Sequence, residues 1–409
     1  MEPTSAGFII LVCALAAVAF AASLWLWPRL SGGGARPVLA RSGLLVTCQL
    51  LLTAALVIVT NRYFVFYSTW NDLFGSDRVK VQVKQVQADR GKEADPADLV
   101  RRTTTDLGPK RKGHAREPQK DGRVDRLALR GARSGLDSEV FVYLPPQYFQ
   151  PAFAHKRLPV VTLFSGGASD DRMAWLGQAR LPDEAARAVA SGRAHPAIYV
   201  MVRSARALVP ADQPPAGPDA DRGLPTDGHR PTAKPATCLN TPGVSGGQAE
   251  LFFSQDLPVA VSDTYRVPAT RKGWAVAGYG PSGQCALRLA MLRSDRFAAA
   301  ASLDGTLDVP EPPPGGTTTD PYGGSKTFRQ DNDLQWRLRH LPPPPVSVLL
   351  ATAAGKPAET GRAAGFVALA RPPMRAEKLV VPGAPGRLAD WRPRLPAVLR
   401  WLTTQVHPE

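Results

Sequence analysis

Two long apolar runs constrain this chain before anything else does. From Gly7 to Trp27 the chain passes 21 residues without a charge (GFIILVCALAAVAFAASLWLW), and from Ser42 to Thr60 another 19 (SGLLVTCQLLLTAALVIVT). Hydrocarbon leaves no water to satisfy backbone polar groups, so such runs fold as helices, and about 20 residues cover the roughly 30 Å of a bilayer core. The first run lacks a basic n-region and an A-x-A site followed by polar mature sequence, which argues against a signal peptide. Two transmembrane helices, about 7–27 and 42–60, are therefore predicted. The loop between them carries Arg29, Arg36 and Arg41 and no acid, whereas Arg62 lies beyond the second run and Glu2 before the first. An excess of basic residues marks the cytoplasmic side, so the loop is read as cytoplasmic and both termini as extracytoplasmic. Trp25, Trp27 and the run YFVFYSTW at 63–70 fit aromatic belts at the span ends. The expected location is the cell membrane, crossed twice, with membrane lipid as a first partner.

The net charge of +15 on 409 residues raises the question of nucleic acid, and its distribution answers it. Residues 1–75 contribute +2, residues 76–130 +6 and residues 131–409 +7. No segment is a dense basic stripe interleaved with stacking aromatics, and no zinc-finger or RNP-type pattern occurs, so nucleic-acid binding is excluded as the expected role. Residues 1–75 read as a membrane anchor. Residues 76–135 have few large apolar side chains and read as a flexible basic linker that cannot offset chain entropy by burial. Within it VKVQVKQV at 79–86 alternates as a short strand would, or as a solvated tether whose lysines meet anionic lipid or envelope polymer.

Beyond the linker, apolar runs recur at Glu139–Leu144, Leu158–Phe164, Ala197–Val202, Trp274–Tyr279, Phe297–Leu303, Val346–Ala351 and Glu377–Val381. Helical patterns lie between most of them, near 182–191, 248–265, 284–293, 359–371 and 393–405. Near-continuous apolar strands alternating with helices predict an α/β domain over 136–409 with a mostly parallel sheet covered on both faces. The segment Arg203–Gly247 is rich in Pro, Asp and Gly. A loop of that length is either a functional lid or a disordered excursion.

Gly273–Gly305 (GWAVAGYGPSGQCALRLAMLRSDRFAAAASLDG) reads as strand, tight turn, amphipathic helix and strand. A nucleophile elbow has this order, with G-x-S-x-G lifting a Ser onto a strained turn. Over roughly 138–409 the chain resembles the esterase family of α/β-hydrolases that includes the mycolyltransferases. LPVVTLFSGG, TCLNTPGVSGGQAELFFSQDLPVAV and WRPRLPAVLRWL support the resemblance. The resemblance implies an α/β-hydrolase fold and acyl-ester hydrolysis, or acyl transfer to envelope glycans, through a Ser-His-acid triad.

The residues in the matching slots depart from that pattern. Where the family reads approximately G-Y-S-M-G-G, this chain has Gly278-Tyr279-Gly280-Pro281-Ser282-Gly283. Gly280 holds the nucleophile slot, and Pro281 has no N–H to offer an oxyanion. Ser282 is the remaining nucleophile candidate, against a plain helix N-cap role. The loop matching the base position, 382–391, has no His, and the six histidines lie at 114, 155, 195, 229, 340 and 407. Of these only His229, in the long loop, is placed to fold over the site. Glu359 is the one acid available after the Val346–Ala351 strand, and Gly166 and Gly167 take the oxyanion-loop position. Without an imidazole a Ser hydroxyl is a poor nucleophile, and loss of a triad member costs about 10⁴–10⁶ in rate.

Cys13 and Cys48 fall in the apolar runs; Cys238 and Cys285 fall in the exterior domain, where they read either as a disulfide or as a buried free Cys285 with an unpaired partner. No Cys/His set has metal spacing and no phosphate-binding loop motif is present, so no cofactor and no metal are expected. The preferred expectation is a catalytically impaired family member that binds an acyl-glycan or other envelope ligand. An active hydrolase or acyltransferase using Ser282, and a structural membrane component that recruits partners, are the rivals.

Overall fold

The structure, a computed structural model, describes residues 6–30, 35–64, 83–84, 100–105, 107–109, 117–166, 173–210, 238–241, 247–307, 322, 324–383 and 385–409. The chain divides into two units, Met1–Lys80 and Val81–Glu409. The first holds helix α1 (Ala6–Leu26) and helix α2 (Ala35–Phe64). Large apolar side chains stand exposed around both, among them Leu24, Leu39, Leu50 and Leu56. A helix apolar on all sides has no single core-facing stripe, unlike the surface helix of a globular domain. Among the described residues one stretch, Pro37–Leu56, is long and apolar enough to cross a membrane, and Val12–Leu26 is a shorter apolar helix. The second of the two expected spans thus has its counterpart, and the first run forms α1, of which Val12–Leu26 is the apolar stretch among the described side chains. At the turn between the helices the Arg29 guanidinium lies 3.9 Å over the Trp25 ring and that of Arg41 5.5 Å over Trp27, both within cation–π range.

In the second unit the strands are β1 (Val83–Lys84), β2 (Val100–Thr105), β3 (Arg123–Arg130), β4 (Leu136–Leu144), β5 (Val160–Phe164), β6 (Ile198–Val202), β7 (Val209–Pro210), β8 (Trp274–Tyr279), β9 (Ala299–Leu303), β10 (Ser347–Ala353) and β11 (Arg375–Val381). They form one sheet in the order β1-β2-β3-β4-β6-β5-β8-β9-β10-β11, with β7 beside β4. From β6 to β11 every pairing is parallel, while β2, β3, β4 and β6 pair antiparallel. The expected mostly parallel sheet is therefore present, extended by an antiparallel wing.

Helices cover both faces. Along β8, Val276 faces one core with Leu287, Leu289 and Phe366, while Ala275 and Ala277 face another with Leu181, Val398 and Leu402. Successive side chains of a strand point to opposite faces, so a strand buried on both reads as an uninterrupted apolar run. Helix α3 (Leu181–Ala190) and helix α7 (Leu395–Gln405) lie on the second face; α4 (Leu257–Thr264), α5 (Pro281–Leu292) and α6 (Pro357–Leu369) supply the first.

The antiparallel wing corrects the linker. Residues 76–82, 85–99, 106 and 110–116 lie outside the described residues, but Val100–Thr105 and Arg123–Arg130 belong to the sheet rather than to a tether. Val124, Leu127 and Leu129 are buried, and the charged residues between them are either exposed or paired. Asp125 is wholly buried and accepts from the Thr104 hydroxyl at 3.2 Å and the Tyr265 phenol at 3.0 Å, with the Arg123 guanidinium 2.8 Å away. A buried carboxylate with this many partners is satisfied, so its presence does not oppose a strand.

Residues 211–237 and 242–246 of the long loop, with His229, lie outside the described residues. Cys238 and Cys285 form a disulfide, Cα atoms 5.4 Å apart, that ties the end of that loop to α5. One turn later on α5, buried Arg288 donates to the Cys238 carbonyl, to Asn332 and to Glu250, the last at 2.6 Å.

Candidate active site

In an open parallel sheet the crevice forms at strand C-termini where the winding direction reverses. Here β5 and β8 are neighbours, yet the chain leaves β5 for β6 on one side and reaches β8 on the other. The residues after these two strands, Ser165–Gly166 and Gly280–Ser282, thus meet at the reversal.

Gly280 sits at the turn with φ 58° and ψ −134°, its N–H bonded to the Leu303 carbonyl at 2.9 Å. That backbone region is essentially reserved for glycine, and it is where a strained elbow holds its apex. A Cβ at Gly280 would meet nothing closer than the Gly166 carbonyl at 3.9 Å. The apex therefore has room for a side chain and carries none. Helix α5 starts immediately with Pro281, whose missing N–H is no loss at a first helical position.

The elbow is held by close approach. A Cβ on Gly278 would lie 2.0 Å from the Ser282 carbonyl oxygen, and one on Gly166 would lie 2.7 Å from Ser282 Oγ, so both positions demand glycine. Ser282 is buried and its hydroxyl donates to the Ser165 carbonyl at 2.6 Å. It fastens the elbow to the loop after β5 instead of facing the open space above Gly280. Gly166, Gly280 and Ser282 are thus brought together, while Gly167 lies outside the described residues.

Glu359 is on the first turn of α6 and pairs with Arg362 of the same helix at 3.2 Å; it makes no bond to Ser282. The loop before Trp391 is closed by Asp390, whose carboxylate accepts the Gly386 and Arg387 N–H groups. The described histidines are engaged elsewhere or exposed. His340 Nδ1 is 2.8 Å from the Trp336 carbonyl, and the backbones of His195 and His407 bond Thr403 and Lys272. His155 is exposed.

Two residues missed by the sequence reading complete the crevice. Asp304, the first residue after β9, has φ 53°, and its Oδ2 lies 2.5 Å from Lys356 Nζ; Lys356 stands just before α6 in the acid slot. The Asp304 side chain is 6% exposed and its Oδ1 has no partner among the described residues. A non-glycine residue with positive φ is the signal that finds Asp304, and it is visible only in the backbone. Burial pushes the Tyr279 phenol up to about 12, with the Asp304 and Asp390 carboxylates adding to the effect. An alkaline absorbance titration should therefore show a wild-type-minus-Tyr279→Phe difference centred near 12, and a midpoint at the ordinary value of about 10 would refute this placement. The stability linked to this phenol is present below about pH 10 and is lost as pH rises toward 12.

The Putative esterase family matches residues 132–341. Among solved structures, an S-formylglutathione hydrolase from Agrobacterium tumefaciens is 12% identical, with TM-score 0.51 over 70% of this chain and 96% of its own. A ferulic acid esterase is 18% identical, with TM-score 0.48 over 69% and 98%. The feruloyl esterase module from Clostridium thermocellum is 17% identical, with TM-score 0.47 over 74% and 96%. At these identities the likeness is one of fold. Among curated proteins none matches the chain.

Proposed function

Because this chain belongs to the Putative esterase family of α/β-hydrolases, with the matched residues spanning half its length, we propose that it is a membrane-anchored, extracytoplasmic member that has lost the serine triad and binds an acyl-glycan or another envelope ligand in the old cleft. The observation that carries this reading is the elbow apex: it has the family's strained backbone and a glycine where the nucleophile belongs. Ser282 as a substitute nucleophile is disfavoured, since its hydroxyl is buried and committed to the Ser165 carbonyl. An activated nucleophile needs a base within about 2.6–3.2 Å, and none bonds it among the described residues.

Anchoring rests on α1 and α2, and the orientation on three arginines in the connecting loop. The unit from Val81 would then stand outside the cytoplasm, where its disulfide is stable. Protease added to intact spheroplasts should digest the folded unit while sparing a cytoplasmic control; protection of that unit until lysis would reject the orientation. Binding is tested by titrating the purified full chain with acylated and deacylated envelope glycans. Saturable binding without product release is expected, and release of free fatty acid at esterase rates would reject the loss of catalysis.

A further inference from the structure

Away from the elbow, a cleft of about 360 Å³ opens between the helical turn Pro118–Asp121, helix α3 and the residues after Trp391. Lys120, Arg180, Arg187 and Arg392 line it, with Asp121 and Asp183. Each of the three guanidiniums spends its Nε on a protein oxygen: Arg180 on the Asp183 carboxylate at 2.9 Å, Arg187 on the Asp183 carbonyl at 3.3 Å, and Arg392 on Glu184 at 2.7 Å. Glu184 is buried and also takes Arg187 Nη2, so one carboxylate locks two arginines. The terminal nitrogens of Arg180 and Arg392, and Nη1 of Arg187, have no protein acceptor among the described residues. Arg180 is held at φ 47°, one of two non-glycine residues in the left-handed region among the described residues, a cost that a fold carries where geometry matters.

We infer that this cleft binds a phosphoryl group, either free or as the headgroup of an anionic lipid. Three guanidiniums lining one cleft, each held through its Nε, offer more donors than the two oxygens of a carboxylate accept, whereas a phosphoryl group presents three or four acceptors and up to two charges. At about 30 Å³ per water, the cleft also has space for the atoms that carry the phosphoryl group.

Calorimetry on the full chain in neutral detergent tests this with two probes, inorganic phosphate and dihexanoyl-phosphatidylglycerol below its micelle concentration. Saturable binding of at least one probe is expected, weakened about tenfold or more by Arg180→Gln and by Arg392→Gln. Arg180→Lys should weaken it too, because a lysine has no fork. Phosphate binding identifies a free phosphoryl ligand, and binding of the lipid alone identifies a headgroup; both support the site. Arg180 is 54% exposed, so its variants remain folded and interpretable even if loss of the Arg392–Glu184 pair disrupts folding. Binding of neither probe overturns the inference, as does binding unchanged in Arg180→Gln. An equal loss in Arg126→Gln, whose guanidinium pairs with Glu139 on the sheet, would also overturn it.

Discussion

A fluorophosphonate probe is expected to leave this protein unlabelled, and its turnover of p-nitrophenyl esters is expected to lie about 10⁴–10⁶ below that of a serine esterase. The magnitude follows from the absent nucleophile at Gly280 and the absent imidazole in the 382–391 loop. Gly280→Ser is the discriminating variant. Its side chain has room, since the nearest atom to a Cβ there is 3.9 Å away, but at φ 58° it carries backbone strain of about 1–3 kcal/mol, so the variant should fold with a lower urea midpoint. It should still fail to turn over esters, because a hydroxyl without a base remains protonated. Ser282→Ala should instead act on stability, by about 1 kcal/mol for the lost bond to Ser165. Robust labelling of the natural protein, abolished in Ser282→Ala, would sink the loss of catalysis and restore Ser282 as nucleophile.

Reduction of the Cys238–Cys285 disulfide is expected to destabilise the folded unit by about 4 kcal/mol, from the chain-entropy relation for the 47-residue separation. Urea titration with and without a thiol reductant reads this as a lower midpoint, with a slope that rises because the reduced unfolded chain is less compact. Cys285→Ala should reproduce the shift and abolish its sensitivity to reductant. The bond is supported by Arg288, which holds the Cys238 carbonyl, so part of the loop attachment persists after reduction. A midpoint indifferent to reductant would show that the loop contributes nothing to the unfolded-state entropy.

The parallel half of the α/β-hydrolase fold was legible because its inner strands, β5, β6, β8, β9 and β10, are buried on both faces. Trp274–Tyr279 and Ala299–Leu303 have no exposed residue, and the predicted and observed boundaries agree within a few residues. The antiparallel wing was not legible for the opposite reason. In β3 every second residue from Arg126 faces solvent and is charged or small, and Asp125 is a buried acid, so composition over the surrounding segment resembled a tether. Its partners, Thr104 and Tyr265, are 21 and 140 residues away, and no local pattern announces them.

The sequence by itself determined the apolar helices, the alternation that builds the sheet, and the glycine standing at the elbow, because periodicity and the absence of a side chain are local properties. Only the tertiary structure decided where Ser282 points, that Asp304 meets Lys356 across 52 residues, and that Glu184, paired with Arg187 three residues on, also holds Arg392 across 208. Those contacts depend on which strand C-termini and helix ends the winding of the sheet brings together, and a hydrogen bond extends only about 3 Å from its donor.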